Sequence, residues 1–319
     1  MSSHAPTTAA PGRASAPRTG LRRLRAGAPA PGRRRRSWAG WLFALPALLF
    51  YVVFNLRPII ENVQYSFYQW DGIGPSTFVG FTNYVHVFTE PQLLDSLLHA
   101  FYLILFYTLL PLVFGLIAAA TMREIKGKLT GTLARITLFL PQIIPGAAAG
   151  VAWTWMYSSN GTVNQFLHLI GLGSIARPWL GDYTWALTAV GFIGTWLQTG
   201  FVTLLLMSGI GGIDASFYEA ARLDGAGPIA QFRHITLPGL KQQIGVAVTV
   251  TIISALASFD VVYLATQGGP GYQTMVPGIA VYNLAFTANR VGAGAALAVV
   301  LALVVIAVVL PLQRLFKED

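Results

Sequence analysis

The chain contains no cysteine, which removes disulfides, thiol nucleophiles, iron–sulfur clusters and thiolate zinc sites together. Charge is almost as scarce. Of 319 residues, 21 are Lys or Arg and 12 are Asp or Glu, 10% in all, where soluble domains carry about 25%. A water-soluble fold is nearly excluded. The five histidines, His4, His86, His99, His168 and His234, form neither an i,i+4 pair nor an HExxH string, so no metal ligand set is visible. A phosphate loop of the form GxxxxGK(S/T) is also missing. The nearest string, Gly127-Lys128-Leu129, lacks the first glycine and the hydroxyl residue. The chain is therefore not expected to hydrolyse ATP, to be an enzyme or to carry a cofactor.

What is abundant is apolar. Hydrophobic residues make up 54% of the chain, mean hydropathy is +0.58, and 33 Gly and 18 Pro lie among long apolar runs. This fits one polytopic all-α bundle better than the two soluble domains that length alone suggests. The hydrocarbon core needs about 20 consecutive apolar residues, and six stretches qualify, at about 37–56, 99–121, 136–157, 184–208, 244–266 and 293–312. Only 244–266 holds a formal charge, Asp260. Pro46, Pro111, Pro141 and Pro145 fall inside spans, where neighbouring helices can re-satisfy the freed carbonyls, so kinked spans are expected.

An even number of spans puts both termini on one side. That side collects nine Arg of the first 36 residues, then Arg123, Lys126, Lys128, Arg135, Arg222, Arg233, Lys241, Arg314 and Lys317. The other side has Arg57, Arg177 and Arg290. Positively charged loops remain in the cytoplasm, so both termini are expected there. Residues 1–36 carry no acidic group and no apolar period, which reads as a disordered tail. Its Arg33 to Arg36 either fix topology or attract anionic headgroups. A secretory signal peptide is rejected, because Ser37 to Leu56 is too long for an h-region and no small-residue cleavage site follows. Residues 37–319 then form one six-helix domain. Its outer loops, about 57–98, 158–183 and 267–292, are rich in Trp, Tyr, Gly and Pro. Trp70, Trp179 and Trp185 read as interfacial anchors, and such loops also suit an external partner.

The segment 209–243, GIGGIDASFYEAARLDGAGPIAQFRHITLPGLKQQ, is no ordinary connection. Asp214 is placed to cap a short helix, with Ile213 stapled onto its first turn. That helix runs to about Leu223, with Phe217 and Ala221 on one face and Glu219 and Arg222 towards another. Gly225 supplies the left-handed position that ends it, and Pro228 opens a second helix carrying Ile229 and Phe232. A structured protrusion on the cytoplasmic side suits docking; it also suits a helix pair lying on the bilayer or capping the bundle.

The run Glu219-Ala220-Ala221-Arg222-Leu223-Asp224-Gly225-Ala226, followed by Phe232, Ile235 and Leu237-Pro238, resembles the EAA loop of binding-protein-dependent ABC importer permeases, in its sugar-type form. Val79-Gly80-Phe81-Thr82-Asn83-Tyr84 resembles the family's first external loop. Phe259-Asp260 with Thr266-Gln267-Gly268-Gly269-Pro270 resembles the end of its fifth span, in the MalF/UgpA-like half of the permease pair. The resemblance covers about residues 38–316. Asp214 and Gln242 stand where the family often has proline.

This resemblance implies a transmembrane subunit that pairs with a second, MalG-like permease and binds two ABC ATPase subunits, with ATP-Mg held by those subunits. It implies a carbohydrate delivered by an extracytoplasmic sugar-binding protein, with no role for nucleic acid. The first loop helix would be a coupling helix seated in a groove of the ATPase. Glu219 would meet a basic residue there, Ala220 and Ala221 would permit close approach, Gly225 would permit the turn, and Phe217, Asp224 and Phe232 would complete the contact.

Polar groups inside spans mark solute pathways or interhelical hydrogen bonds. Thr251, Ser254 and Ser258 share one face of the fifth span, and Gly191, Thr195, Gln198 and Thr199 form a stripe on the fourth, with Gly194 making room beside it. In the resembled family these spans line the sugar cavity, which makes Gln198, Thr195, Thr251, Ser254 and Ser258 the pathway candidates. Asp260 falls roughly half a turn off that face at about 100° per residue, which suits a structural or partner-facing role better than proton relay. Trp153 and Trp155 suit either ring stacking or interface anchoring. Two rivals remain: a permease of the same fold for glycerol-3-phosphate or another polar solute, and an ion-coupled secondary transporter, for which discontinuous helices in inverted repeats and buried carboxylates for coupling ions would be expected.

Overall fold

The computed structural model describes residues 39–125 and 127–316. The Arg-rich tail, 1–36, and Lys126 and Lys317 of the charge argument lie outside the described residues. The chain divides into two units at Val52 and Val53. The described part of the first is helix α1 (Ala39–Tyr51), which runs into a widened turn at Val52–Leu56. The second unit begins with α2 (Arg57–Tyr65) and a small antiparallel ribbon, β1 (Tyr68–Gln69) and β2 (Thr77–Phe78), in which Tyr68 faces Phe78. There follow α3 (Thr82–Thr89), α4 (Pro91–Ile104), α5 (Leu110–Glu124), α6 (Lys128–Ile143), α7 (Gly146–Met156) and α8 (Thr162–Leu169). The long α9 (Ala186–Gly211) leads to α10 (Ala215–Leu223), α11 (Pro228–Gln231) and α12 (Leu237–Gly239). The chain closes with α13 (Lys241–Leu256), α14 (Asp260–Thr266), α15 (Pro277–Tyr282) and α16 (Val291–Phe316).

Four helical runs are long and apolar enough to cross a membrane: Trp41–Tyr65, Pro91–Met122, Ala186–Gly211 and Val291–Phe316. Two bent pairs bring the number to as many as six among the described residues, if each pair is one span. In one, α6 meets α7 at 100°; in the other, Pro228–Gly239 meets α13 at 67°. Six is also the number of apolar runs in the sequence, but two of those runs, expected as continuous though kinked spans, are broken. The stretch 136–157 is two helices separated by Ile144 and Pro145, so Pro145 ends a helix rather than kinking one. The stretch 244–266 stops at Leu256 and restarts at Asp260. The loop expected over 57–98 is largely helical as well, with α2, α3 and the start of α4 inside it.

Prolines explain much of the irregularity. Widened turns of five residues at Val52–Leu56, Leu105–Leu109 and Phe232–Thr236 are each followed by a proline two residues on, Pro58, Pro111 and Pro238. A proline inside a helix brings no N–H and pushes its ring against the carbonyl four residues back, and a turn opened to an i→i−5 bond relieves that clash. At Pro111 the consequence can be followed atom by atom. The Leu110 N–H bonds to the Leu105 carbonyl, and Pro111 has no N–H to offer Phe106. The orphaned Phe106 carbonyl accepts instead from Thr195 Oγ1 of α9, at 2.7 Å.

Helix α9 is the centre of the bundle, packed against α5, α6 and the turn 105–109. Small residues make this possible: a Cβ on Gly194 would overlap the Tyr107 ring, and one on Gly191 would overlap Phe106. Around it, α14 packs on α7, and α13 packs on α16 and α4. The buried residues Leu103, Ile193, Val262, Ile279 and Leu297 knit these helices into one core.

The connecting loops are built, not slack. Asn164, 1% exposed, donates to the carbonyls of Ser158 and Arg177, at 3.0 and 2.8 Å, and accepts from Trp179 Nε1 at 2.9 Å. The Arg177 guanidinium stacks over both Trp179 and Trp185, and Trp70 stacks on Tyr65 while donating to the Gly74 carbonyl. Trp70 and Trp179, expected as membrane anchors, thus have hydrogen-bonding duties within their loops. Trp153 is half-buried against Tyr157 and Trp196, and Trp155 is exposed.

Candidate functional site

Two places concentrate the chemistry. The first is the segment from Asp214 to Pro238. Asp214 has extended backbone and its carboxylate accepts from the Ser216 N–H at 2.9 Å, which holds its carboxyl below the usual carboxylate range. This cap starts α10, and a Schellman turn ends it. Gly225 adopts φ +79°, its N–H bonds to the Arg222 carbonyl, and the Ala226 N–H reaches back to Ala221 at 2.8 Å. Pro228 then opens α11 at its first position. Ile213 reaches across to Gly239 of α12.

The segment has an inner and an outer face. Tyr218 is 2% exposed, and its hydroxyl lies 3.0 Å from Thr236 Oγ1. Outward stand Phe217, Leu223 and Ile229, at 61%, 89% and 85% exposure, with Glu219, Ala220, Asp224 and Gly225 also exposed and Ala221 half-buried. Phe232 departs from the expected arrangement. It is half-buried and lines a cavity of about 650 Å³ with Thr121, Ile210, Arg222, Gln231 and Thr236, between the segment and the ends of α5 and α9. Tyr218 and Thr236, which make the pin, were not singled out from sequence; Tyr218 alternates with the exposed Phe217 and Glu219, and that pattern was the available signal.

The second place is a cavity of about 460 Å³ where both broken helices meet. The non-helical residues Ile144 and Pro145 form one side, and Ala257 and Ser258 the other. Polar groups enter from Tyr107, Gln142, Gln198, Ser254, Ser258 and Asp260. Irregular backbone at membrane depth is tolerated where it lines a cavity, because its amides can find partners there. Of the five pathway candidates, Gln198, Ser254 and Ser258 come together here. Thr195 and Thr251 do not. Thr195 is spent on the Phe106 carbonyl, and Thr251, 1% exposed, donates to the Ala247 carbonyl at 2.8 Å. Asp260 reaches the cavity although helical arithmetic puts it elsewhere, since that arithmetic fails once the helix stops at Leu256.

Comparison with known proteins gives the family of the chain. The family model described as "binding-protein-dependent transport system inner membrane component" matches residues 98–317, which include both places. The chain belongs to that family. Among relatives of this permease, the probable ABC transporter permease protein YurN of Bacillus subtilis is 36% identical over 279 residues, 87% of this chain and 95% of that one. The diacetylchitobiose uptake system permease protein NgcF of Streptomyces coelicolor is 32% identical, over 81% of this chain and 76% of its own length. A crystal structure of a bacterial ABC transporter for the acidic polysaccharide alginate superposes with a TM-score of 0.76 over 88% of this chain and 96% of that chain. At 22% identity, that likeness shows the fold. The permease is thus an ABC transporter membrane component.

Proposed function

We propose that this permease is one transmembrane half of an ABC importer for carbohydrate. A second, MalG-like permease completes the pore, two cytoplasmic ATPase subunits hold ATP-Mg and supply the energy, and an extracytoplasmic sugar-binding protein delivers the solute. Both termini are cytoplasmic, so the segment Asp214 to Pro238 faces the ATPase. The observation that carries this reading is the division of that segment into a pinned inner face and an exposed apolar outer face. Phe217, Leu223 and Ile229 present large apolar area next to Glu219, as a surface seated in a partner's groove would. Ala220 and Ala221 keep the approach close, and Asp224 and Gly225 shape the turn. Phe232 takes a supporting role from the inner side.

The solute passes the cavity lined by Gln198, Ser254 and Ser258, polar residues of the kind that fix the orientation of a hydroxyl-bearing solute. The sugars named for its relatives support carbohydrate over another polar solute. A glycerol-3-phosphate permease would call for basic groups, and among the described residues no Lys or Arg lines this cavity.

The test is reconstitution of the assembled transporter in proteoliposomes. Uptake of the sugar carried by the cognate binding protein should require both that protein and ATP. Uptake by vesicles containing the permease alone, driven by an ion gradient, would contradict the proposal.

A further inference from the structure

The cavity between the broken helices holds one charge that no basic side chain neutralises. Asp260 opens α14, and its carboxylate lies against Gly146, the first residue of α7, where a Cβ would overlap it. Among the described residues no Lys, Arg or His pairs with it. The other polar groups of the cavity are neutral: the amides of Gln142 and Gln198 and the hydroxyls of Tyr107, Ser254 and Ser258. Tyr107 and Ser258 are 4% and 6% exposed, and among the described residues neither hydroxyl has a hydrogen-bond partner. Both hydroxyl oxygens are closed off from solvent, whereas Asp260 is exposed, and its carboxylate is the charge that a solute in the cavity meets.

We propose that Asp260 is the charge filter of this cavity, a specificity-determining residue that admits uncharged saccharides and turns away anionic ones. An ionised carboxylate only accepts hydrogen bonds, so it holds sugar hydroxyls by charge-assisted bonds. A uronate or a sugar phosphate brings like charge to the same place. In a partly hydrated cavity a fixed charge within about 8 Å lowers the local concentration of a like-charged monovalent solute roughly fivefold and raises that of the opposite sign equally. The fold is shared with an importer of an acidic polysaccharide, so the architecture does not by itself fix charge preference. The inference rests on the reading that this cavity belongs to the solute pathway.

The absence of cysteine gives a direct test. Ser254→Cys places one thiol in the cavity of the assembled transporter. Its reaction rates with a cationic methanethiosulfonate (trimethylammonium-ethyl) and an anionic one (sulfonato-ethyl) are compared, each relative to a free thiol in solution. With Asp260 present, the normalised cation-to-anion ratio should be roughly 25 to one. Asp260→Asn and Asp260→Ser should bring it close to one, and Asp260→Glu should preserve it. A ratio unchanged by both neutral variants overturns the filter and leaves the pathway standing. A thiol that neither reagent reaches in any background overturns the pathway reading, and the filter with it.

Discussion

The hydroxyls of Tyr218 and Thr236 meet at 3.0 Å inside the protein, joining α10 to the helical run that leads into α13. They are 18 residues apart, and the exposed turn at Gly225 lies between them. A force applied to the outer face of α10 therefore reaches α13, and through it one wall of the cavity, by a short packed route. Removing the Tyr218 ring with Ala should cost about 3–5 kcal/mol of local stability, while Tyr218→Phe, which loses only the hydroxyl contact, should cost about 1 kcal/mol. Limited proteolysis of the segment should rank the variants wild type, Phe, Ala in rising susceptibility, and ATP-driven uptake should fall in the same order.

The turn itself depends on backbone conformation and not on space. Gly225 has φ +79° and nothing within 4 Å of where a Cβ would stand. A side chain would fit, but a left-handed conformation costs an L-residue roughly 1–2 kcal/mol, and a β-branched residue more. Gly225→Val should abolish uptake with normal amounts of protein in the membrane, while Gly225→Asn should retain most of it, since Asn tolerates this conformation. Glu219→Lys, at an exposed position, should abolish uptake without changing thermal stability.

The cap of α10 is pH-dependent. The Ser216 N–H stabilises the Asp214 carboxylate and lowers its pKa in the folded state. A lowered folded-state pKa means the contribution is present above the unfolded pKa of about 3.9 and disappears as pH falls through the folded value. Hydrogen exchange at the Ser216 amide, after correction for intrinsic rates, should accelerate as pH drops below about 4. In Asp214→Asn, which keeps the acceptor oxygen without the titration, the corrected rate should be flat.

Two polar residues one turn apart on α9 should behave differently. Thr195→Val leaves the Phe106 carbonyl unpaired and should destabilise the permease by about 1–3 kcal/mol, with Thr195→Ser close to wild type. Gln198→Ala should leave the melting temperature unchanged and raise the apparent KM for uptake. Equal effects on stability from both substitutions would remove Gln198 from the cavity wall.

Much of this was legible in the sequence because it is local. The caps at Asp214, Gly225 and Pro228 depend on residue type and near-neighbour spacing, and all three are found where expected. The six apolar runs were legible because length and polarity define them. Less visible were the helix breaks, since apolar periodicity runs unbroken through Ile144-Pro145 and through Ala257 to Phe259. That single omission misplaced Asp260. Thr195 stands apart from the cavity for a different reason. Its partner, the carbonyl orphaned by Pro111, is 89 residues distant, and a hydroxyl stripe looks the same whether it faces a solute or a neighbouring helix.

The central claim is that an ATPase grips the outer face of α10 from inside the cell. Leu223, 89% exposed, is the place to test it, because Leu223→Cys would be the sole thiol of the chain. Cross-linking in intact membranes should join it to a nucleotide-hydrolysing subunit, with a yield that changes when ATP is added. No such adduct, or labelling of that thiol in whole cells by a membrane-impermeant reagent applied from outside, would contradict the account.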